Sequence, residues 1–303
     1  MQYNQIPGTD LRVSALCLGT MTFGAPVEEK DAVRLVQYAA DKGINFIDTA
    51  NMYEGYNRAA GSAGGVAEEI VGKAVRSARS RYIVATKLGM KVGNAPEDDY
   101  TSPAAIALQL RRSLKRLQTD YVDIYYLHRY DPDTNPHDIV RALEKEKQAG
   151  NIRAWGVSNY TAAQLESLLA AVKEENASMP ALCQPALSLL KDAAVQDILP
   201  LCVKNGVGVV PYQVLQGGIL SGKYHRGQAA ATGTRAAEKP EWMMPMTEEV
   251  FDKLERYEQI AVAENLTMAQ YAMRWAMHRE GVISTLVGVK RTAQLDEALA
   301  AAL

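Results

Sequence analysis

Gly43-Ile44-Asn45-Phe46-Ile47-Asp48-Thr49-Ala50 is the stretch on which the fold turns. Gly43 ends a helix that reads from about Glu28 to Lys42, at the point where a left-handed residue is usually needed. Ile44 to Ile47 is a short apolar run that stops on a carboxylate. The same unit, a strand-like run followed by a helical stretch, recurs along the chain. Ala15 to Gly19 precedes the first helix, and a helix from about Val66 to Arg79 follows the second strand. Tyr82 to Thr86 leads to a helix announced by Ser102 and Pro103, cap and first-turn residue, and reaching Leu117. Tyr121 to Leu127 precedes a helix that ends near Gly150, and Ile152 to Val157 precedes one capped by Thr161 and running to about Lys173. Ala181 to Ala186 and Val207 to Tyr212 follow. Thr267 caps a helix to about Arg279, Ser284 to Val287 is the eighth strand, and Thr292 opens the last helix.

Parallel neighbours need crossover helices, so this alternation predicts an α/β fold with a parallel sheet. Eight near-regular units fit a closed (β/α)8 TIM barrel better than an open doubly wound sheet, with the active site on the loops at the strands' C-terminal ends. No proline- or serine-rich linker divides the chain, so residues 1–303 are expected to form a single domain. The longest interruption, Gly217 to Pro245, reads as a mobile flap over the rim.

Four polar residues stand at or just past the strand ends: Asp48, Tyr53, Lys87 and His128. Together they supply a proton donor, a cation to lower its pKa, a carboxylate to hold that cation and an imidazole. That set suits protonation of a carbonyl oxygen while a hydride arrives at carbon. Each has a plainer use taken alone. Asp48 reads as a turn cap, Lys87 as a solvated lysine, His128 as a core histidine, and Tyr53 as one of 15 tyrosines covering the core. Their joint placement carries the chemistry. Gly61 to Gly65 is glycine-rich but lacks the GxGxxG spacing that joins a strand tightly to a helix.

Composition narrows the class. With 48% hydrophobic residues and a net charge of −2, nothing in the overall charge recruits nucleic acid or an acidic membrane. Cys17, Cys183 and Cys202 form neither a CxxC pair nor a zinc spacing, which reads as buried reduced thiols in a cytoplasmic protein. The polar start and the absence of a long apolar segment predict neither a signal peptide nor a membrane span. No metal constellation is legible. Oligomeric state is left open by the sequence, homo-oligomers included.

The segment quoted above followed by Tyr53, then Ala85-Thr86-Lys87, Leu127-His128 and Trp155-Gly156-Val157-Ser158-Asn159, resembles the aldo-keto reductase family, in order and with its spacing. The resemblance implies an oxidoreductase that reduces an aldehyde or ketone with NADPH, NADH being possible, with Asp48, Tyr53, Lys87 and His128 catalytic. It implies further that Ser158, Asn159 and Gln184 bind the nicotinamide carboxamide and that Tyr212 stacks on the nicotinamide ring. Gln213, Leu215, Gly217, Gly218, Ser221 and Lys223 would wrap the pyrophosphate, although the family often has Ser-Pro where this chain has Gln213-Val214. Gly288, Lys290 and Arg291 open the last helix. The two cations would bind a 2′-phosphate or are an ordinary exposed basic pair. Gln294 and Glu297 match positions that contact the adenosine portion, while Ala298 stands where asparagine is usual. Relatives usually continue past the eighth helix, so the C-terminal tail is read as absent from this sequence. Met21, Met90 and Trp242 are the pocket candidates for a small-molecule carbonyl substrate, with Phe23, Glu54, Tyr56 and Arg58 near them. Arg58 is a candidate to meet a substrate anion. Channel β-subunit relatives imply the alternative of a cofactor-binding redox sensor or regulatory subunit with little turnover.

Overall fold

The computed structural model describes residues 1–59 and 61–302. Its strands are β1 (Tyr3–Gln5), β2 (Arg12–Ser14), β3 (Leu16–Gly19), β4 (Phe46–Asp48), β5 (Ile83–Leu88), β6 (Val122–Leu127), β7 (Ile152–Ser158), β8 (Leu182–Gln184), β9 (Gly208–Val209) and β10 (Thr285–Gly288). Its helices are α1 (Glu29–Asp41), α2 (Val66–Val75), α3 (Pro103–Leu117), α4 (Pro136–Gln148), α5 (Ala162–Glu174), α6 (Ile198–Lys204), α7 (Arg235–Glu238), α8 (Glu248–Ala263), α9 (Met268–Met277) and α10 (Thr292–Ala301).

Eight strands pair in parallel in the order β10-β3-β4-β5-β6-β7-β8-β9. Between β9 and the approach to β10, Val209 donates to the Gly281 carbonyl at 2.8 Å and Ile283 donates to Val209 at 3.0 Å. Leu286 donates to the Pro211 carbonyl at 3.0 Å. Those bonds join the two edge strands, and the sheet is the (β/α)8 barrel expected from the alternation.

Helix chemistry sets the crossovers. In α1 the buried Ala32, Leu35, Val36 and Ala39 recur at helical spacing, and Glu29 and Asp31 sit in the first turn, where the helix dipole favours acid. Gly43 follows at φ 88°, the left-handed stop read from the sequence. Ser102 accepts from Ala105 N at 3.2 Å, and Thr161 and Thr267 form capping boxes with Gln164 and Gln270.

Three elements were not anticipated. The first is an antiparallel hairpin, β1 with β2, which precedes β3 and packs Ile6, Leu11 and Val13 against the barrel's interior residues Cys17, Phe46, Ala85, Ile124, Tyr126 and Leu182. The N-terminal end of the barrel is thereby plugged, and the rim at the other end is left for loops. The others are α6 and α8. The stretch read as a flap contains α7 and two 3-10 turns, Gln216–Ser221 and Pro240–Trp242. It is tied to the body where Trp242 meets Tyr56 edge to face at 5.3 Å and Lys290 Nζ donates to Gly233 O at 3.1 Å.

The thiols also differ in one respect from the sequence reading. All three are buried and outside disulfides, but Cys183 of β8 and Cys202 of α6 meet in space. The Cys183 thiol donates to the Cys202 sulfur, and that bond, with burial, raises the Cys183 pKa well above its ordinary value. Among the described residues, no helix is long and apolar enough to cross a membrane.

Candidate active site

Parallel register carries the four polar residues to one mouth. Asp48 is the last residue of β4 and lies opposite Gly19 and Ala85. Lys87 pairs with Tyr126 near the end of β5, and His128 is the residue after β6, its N–H donating to Leu88 O at 2.8 Å. Tyr53 follows β4 by a turn closed by its own N–H on Ala50 O at 3.1 Å.

Lys87 and Asp48 form a buried ion pair, both essentially without solvent contact. Lys87 Nζ also donates to Thr49 O at 2.9 Å and to the Tyr53 hydroxyl at 3.4 Å. Three acceptors saturate an ammonium, so the charge is tolerated in the interior. Burial pushes the Lys87 pKa down, but Asp48 and Tyr53 together outweigh it, and the group stays cationic with a raised value.

The Tyr53 pKa goes the opposite way from the sequence expectation. Loss of water around the phenol raises it, Lys87 lowers it by less, and Asp48 raises it again. The ammonium's charge is already shared with Asp48, so too little remains to make phenolate favourable. Near neutrality Tyr53 is a protonated phenol with a cation at hand. His128 packs edge to face on Tyr53 at 5.8 Å. Burial, then Lys87 and Arg129, hold its pKa well below the ordinary 6.5, so the ring is neutral, and its Nδ1 is buried with no partner.

That depressed value has a consequence for stability. Below pH 6.5 the unfolded chain binds a proton at His128 that the folded chain refuses, so stability falls with falling pH until the folded value is reached. The slope from one such group is at most about 1.4 kcal/mol per pH unit. In His128→Asn, urea unfolding between pH 6.5 and 5 is expected to show a shallower acid slope than the parent. An unchanged slope would place the proton uptake elsewhere.

The next layer is also brought together. Ser158 ends β7 and its Oγ donates to Gln184 O at 2.9 Å. Asn159, at φ 59°, donates to His128 O at 2.9 Å and accepts from the Tyr212 hydroxyl at 2.5 Å. Gln184 Nε2 donates to Asp48 Oδ2 at 2.9 Å. Beneath them Gly156 is required by contact, because a Cβ there would lie 2.7 Å from the Tyr126 ring and 2.5 Å from Leu182 O.

Beyond β9 the backbone turns through Gln213, Gln216, Gly217 and Gly218, all at positive φ. Leu215 and Ser221 hold that turn by Gly218 N on Leu215 O at 2.8 Å and Ser221 Oγ on Gly218 O at 2.7 Å. Lys223 Nζ lies 2.6 Å from where a Gly218 Cβ would stand, so glycine leaves the room that the ammonium occupies. Burial lowers the Lys223 pKa, and Lys290, Arg235 and Arg291 lower it further. Lys223 thus lies in the field of three other cations, and of the four, among the described residues, only Lys290 has a carboxylate partner, Glu238 at 2.7 Å. Mutual repulsion of that kind fits a polyanion. Arg235 was not singled out in the sequence, since it lies inside the long irregular stretch and carries no motif.

Other candidates divide. Gln294 Oε1 accepts from Lys290 N at 2.7 Å and so fixes the basic loop at the start of α10, just past the exposed Gly288. Glu297 accepts from Thr267 Oγ1 at 2.9 Å and joins α10 to the cap of α9. Met21 and Met90 are half-buried on the rim, Trp242 is 37% exposed, and Phe23 is fully buried packing. Arg58 does not point to a substrate anion. It is held by Glu54 at 3.4 Å, Ser62 O at 2.9 Å and Lys91 O, and so ties the β4 loop to the β5 loop. A cleft of about 450 Å³ lies at the opposite end of the barrel, lined by Asn4, Arg274, His278 and Thr285 among others. It contains none of the residues above, and chemistry rather than volume places the active site at the other mouth. Among the described residues, no three histidines, cysteines or carboxylates gather as metal ligands do.

The profile of the Aldo/keto reductase family matches residues 15–303. The chain is 32% identical over 304 residues to a "Probable voltage-gated potassium channel subunit beta" of Arabidopsis thaliana, covering 98% of this chain and 90% of that one. It is 32% identical over 309 residues to the "Uncharacterized oxidoreductase YrpG" of Bacillus subtilis (strain 168), covering 99% and 91%. The solved structure of the glycerol dehydrogenase AKR11B4 from Gluconobacter oxydans superposes with a TM-score of 0.80 at 29% identity, covering 97% of this chain and 88% of that one. The chain belongs to the aldo/keto reductase family, whose members act on carbonyl and CH–OH groups and generally use NAD(P)H.

Proposed function

We propose that this chain reduces an aldehyde or ketone to the alcohol with NADPH, and that Tyr53 is the acid. The observation that carries the reading is the junction of Lys87 Nζ with Asp48, Thr49 O and the Tyr53 hydroxyl. A reduced nicotinamide, when bound, supplies hydride to the carbonyl carbon. The residues fit such a group: a polar cluster of Ser158, Asn159, Gln184 and Tyr212 beside the tetrad, and a cationic cradle of Gly217, Gly218, Ser221, Lys223, Arg235, Lys290 and Arg291 beyond it.

The phenol of Tyr53 donates its proton to the carbonyl oxygen as charge develops there, and Lys87 stabilises the phenolate left behind. Asp48 keeps Lys87 aimed at that oxygen. Neutral His128 orients the carbonyl by hydrogen bonding, which an imidazolium would do at the cost of an extra buried charge. Met21, Met90 and Trp242 present apolar surface to the substrate's carbon skeleton.

The preference for NADPH rests on Lys290 and Arg291 at the N-terminal end of α10, where helix dipole and side-chain charge favour phosphate together. Arg291→Ala should raise the Kd for NADPH about 10- to 100-fold while leaving that for NADH nearly unchanged. Equal weakening of both would remove the 2′-phosphate assignment. A second reading, a cofactor-binding sensor or regulatory subunit with slow turnover, is favoured by the plant relative's name as a channel subunit. Turnover on a carbonyl panel separates the two, since a sensor would bind NADPH and oxidise it negligibly.

A further inference from the structure

Both oxygens of Asp48 are engaged. Oδ1 holds Lys87, and Oδ2 accepts from Gln184 Nε2 at 2.9 Å. A carboxylate only accepts, so the Gln184 amide must turn its NH₂ toward Asp48, and its carbonyl oxygen is left for a donor elsewhere. Gln184 is itself fixed as the last residue of β8, in register with Ser158, whose hydroxyl holds the Gln184 backbone carbonyl. Gln184 is 3% exposed, and the buried Tyr126 hydroxyl lies against its side chain. Among the described residues, Gln184 and Lys87 are the side chains that hydrogen-bond to the Asp48 carboxylate.

We propose that Gln184 is a positioning residue of the proton-donating site: its NH₂ fixes Asp48, and through Asp48 the setting of Lys87 against the Tyr53 hydroxyl. The bond makes one amide a bridge between the acid's electrostatics and whatever donor, such as a primary carboxamide, meets its other oxygen. This inference rests on the reading of Tyr53 as the acid. The direction of its effect follows from charge. An Asp48 oxygen without its donor presents more negative charge to Tyr53 and leaves Lys87 less firmly placed, and both oppose phenolate.

Gln184→Met keeps the side-chain volume and removes the hydrogen bond. Difluorotyrosine in place of Tyr53 titrates nearer neutrality, and its fluorine resonance follows that phenol alone, with no turnover required. The titration is expected to move up by about one pH unit in Gln184→Met. Gln184→Asn, too short to reach Asp48, should give the same shift if the methionine variant folds poorly. In an Asp48→Asn background the Gln184 substitution should produce no further shift, because the two act as one unit. An unmoved titration in both Gln184 variants, or an equal shift with and without Asp48, overturns the proposal. A parent without carbonyl turnover would instead sink the reductase reading while leaving this titration interpretable.

Discussion

Tyr53→Phe is expected to lower carbonyl turnover by about 10²- to 10⁴-fold, the usual worth of a positioned proton donor. The Kd for NADPH should change little, because the hydroxyl faces Lys87 at 3.4 Å and the basic cradle lies beyond β9. Loss of one hydroxyl at a half-buried ring should leave the fold intact, and ligand-induced quenching of fluorescence would confirm a competent binding site. The parent's pH profile carries a second sign of the same group. Since burial raises Tyr53 above its ordinary value, reduction should stay flat from about pH 7 to about pH 9. A steep alkaline fall within that range, or a Tyr53→Phe variant as fast as the parent, would remove Tyr53 from the chemistry.

Asp48→Leu is expected to be the most destabilising single change in the site. It strands the Lys87 ammonium in the barrel with only Thr49 O and the Tyr53 hydroxyl as partners. Breaking a buried pair from one side costs about 3–5 kcal/mol. For a chain of this size that is a fall in Tm on the order of 10 °C. The sign in pH also reverses. In the parent, Asp48 holds Lys87 above 10.5, so the pair's contribution is present below that pH and is lost as pH rises through the folded value. Without Asp48, burial lowers the Lys87 pKa, and the variant should gain stability relative to the parent as pH rises and the lysine sheds its proton. The double variant Asp48→Leu with Lys87→Met should be more stable than Asp48→Leu alone. If it is not, the penalty comes from packing rather than from the stranded charge.

Much of this architecture was legible because several helices start or stop on a chemical signal. Gly43, Ser102 with Pro103, Thr161 and Thr267 all serve as stop or cap in the structure. The strands β8 and β9 are shorter than the runs Ala181 to Ala186 and Val207 to Tyr212, because period alone cannot end a mostly apolar buried run. The hairpin of β1 and β2 was missed since three-residue strands are too short to show alternation. Helix α8 is amphipathic and capped by Thr247, a start signal that the sequence carries just past the irregular stretch.

The convergence of Asp48, Tyr53, Lys87 and His128 was legible because strand ends converge in a parallel barrel. The electrostatics were not. Sequence placed Lys87 near Tyr53 and suggested a lowered phenol pKa, but the outcome depends on how burial competes with a charge already shared with Asp48. Arg58 shows the same limit, since an arginine on a rim loop looks available until its carboxylate and carbonyl partners are seen. Arg235 could not be found from its neighbours in the chain, because its relation to Lys223 exists only after the loop closes over the barrel.

The most direct test follows the hydride itself. Purified protein would be given NADPH carrying deuterium at one face of nicotinamide C4, with glyceraldehyde, methylglyoxal, a nitrobenzaldehyde and several aldoses as substrates. Mass spectrometry of the alcohol products would then locate the label. One face-labelled cofactor should give alcohol with a single deuterium on the former carbonyl carbon, with one cofactor oxidised per product and about 10²- to 10⁴-fold slower product formation from Tyr53→Phe. Alcohol formed without label from either face, or no binding of NADPH or NADH, would contradict hydride transfer by this site.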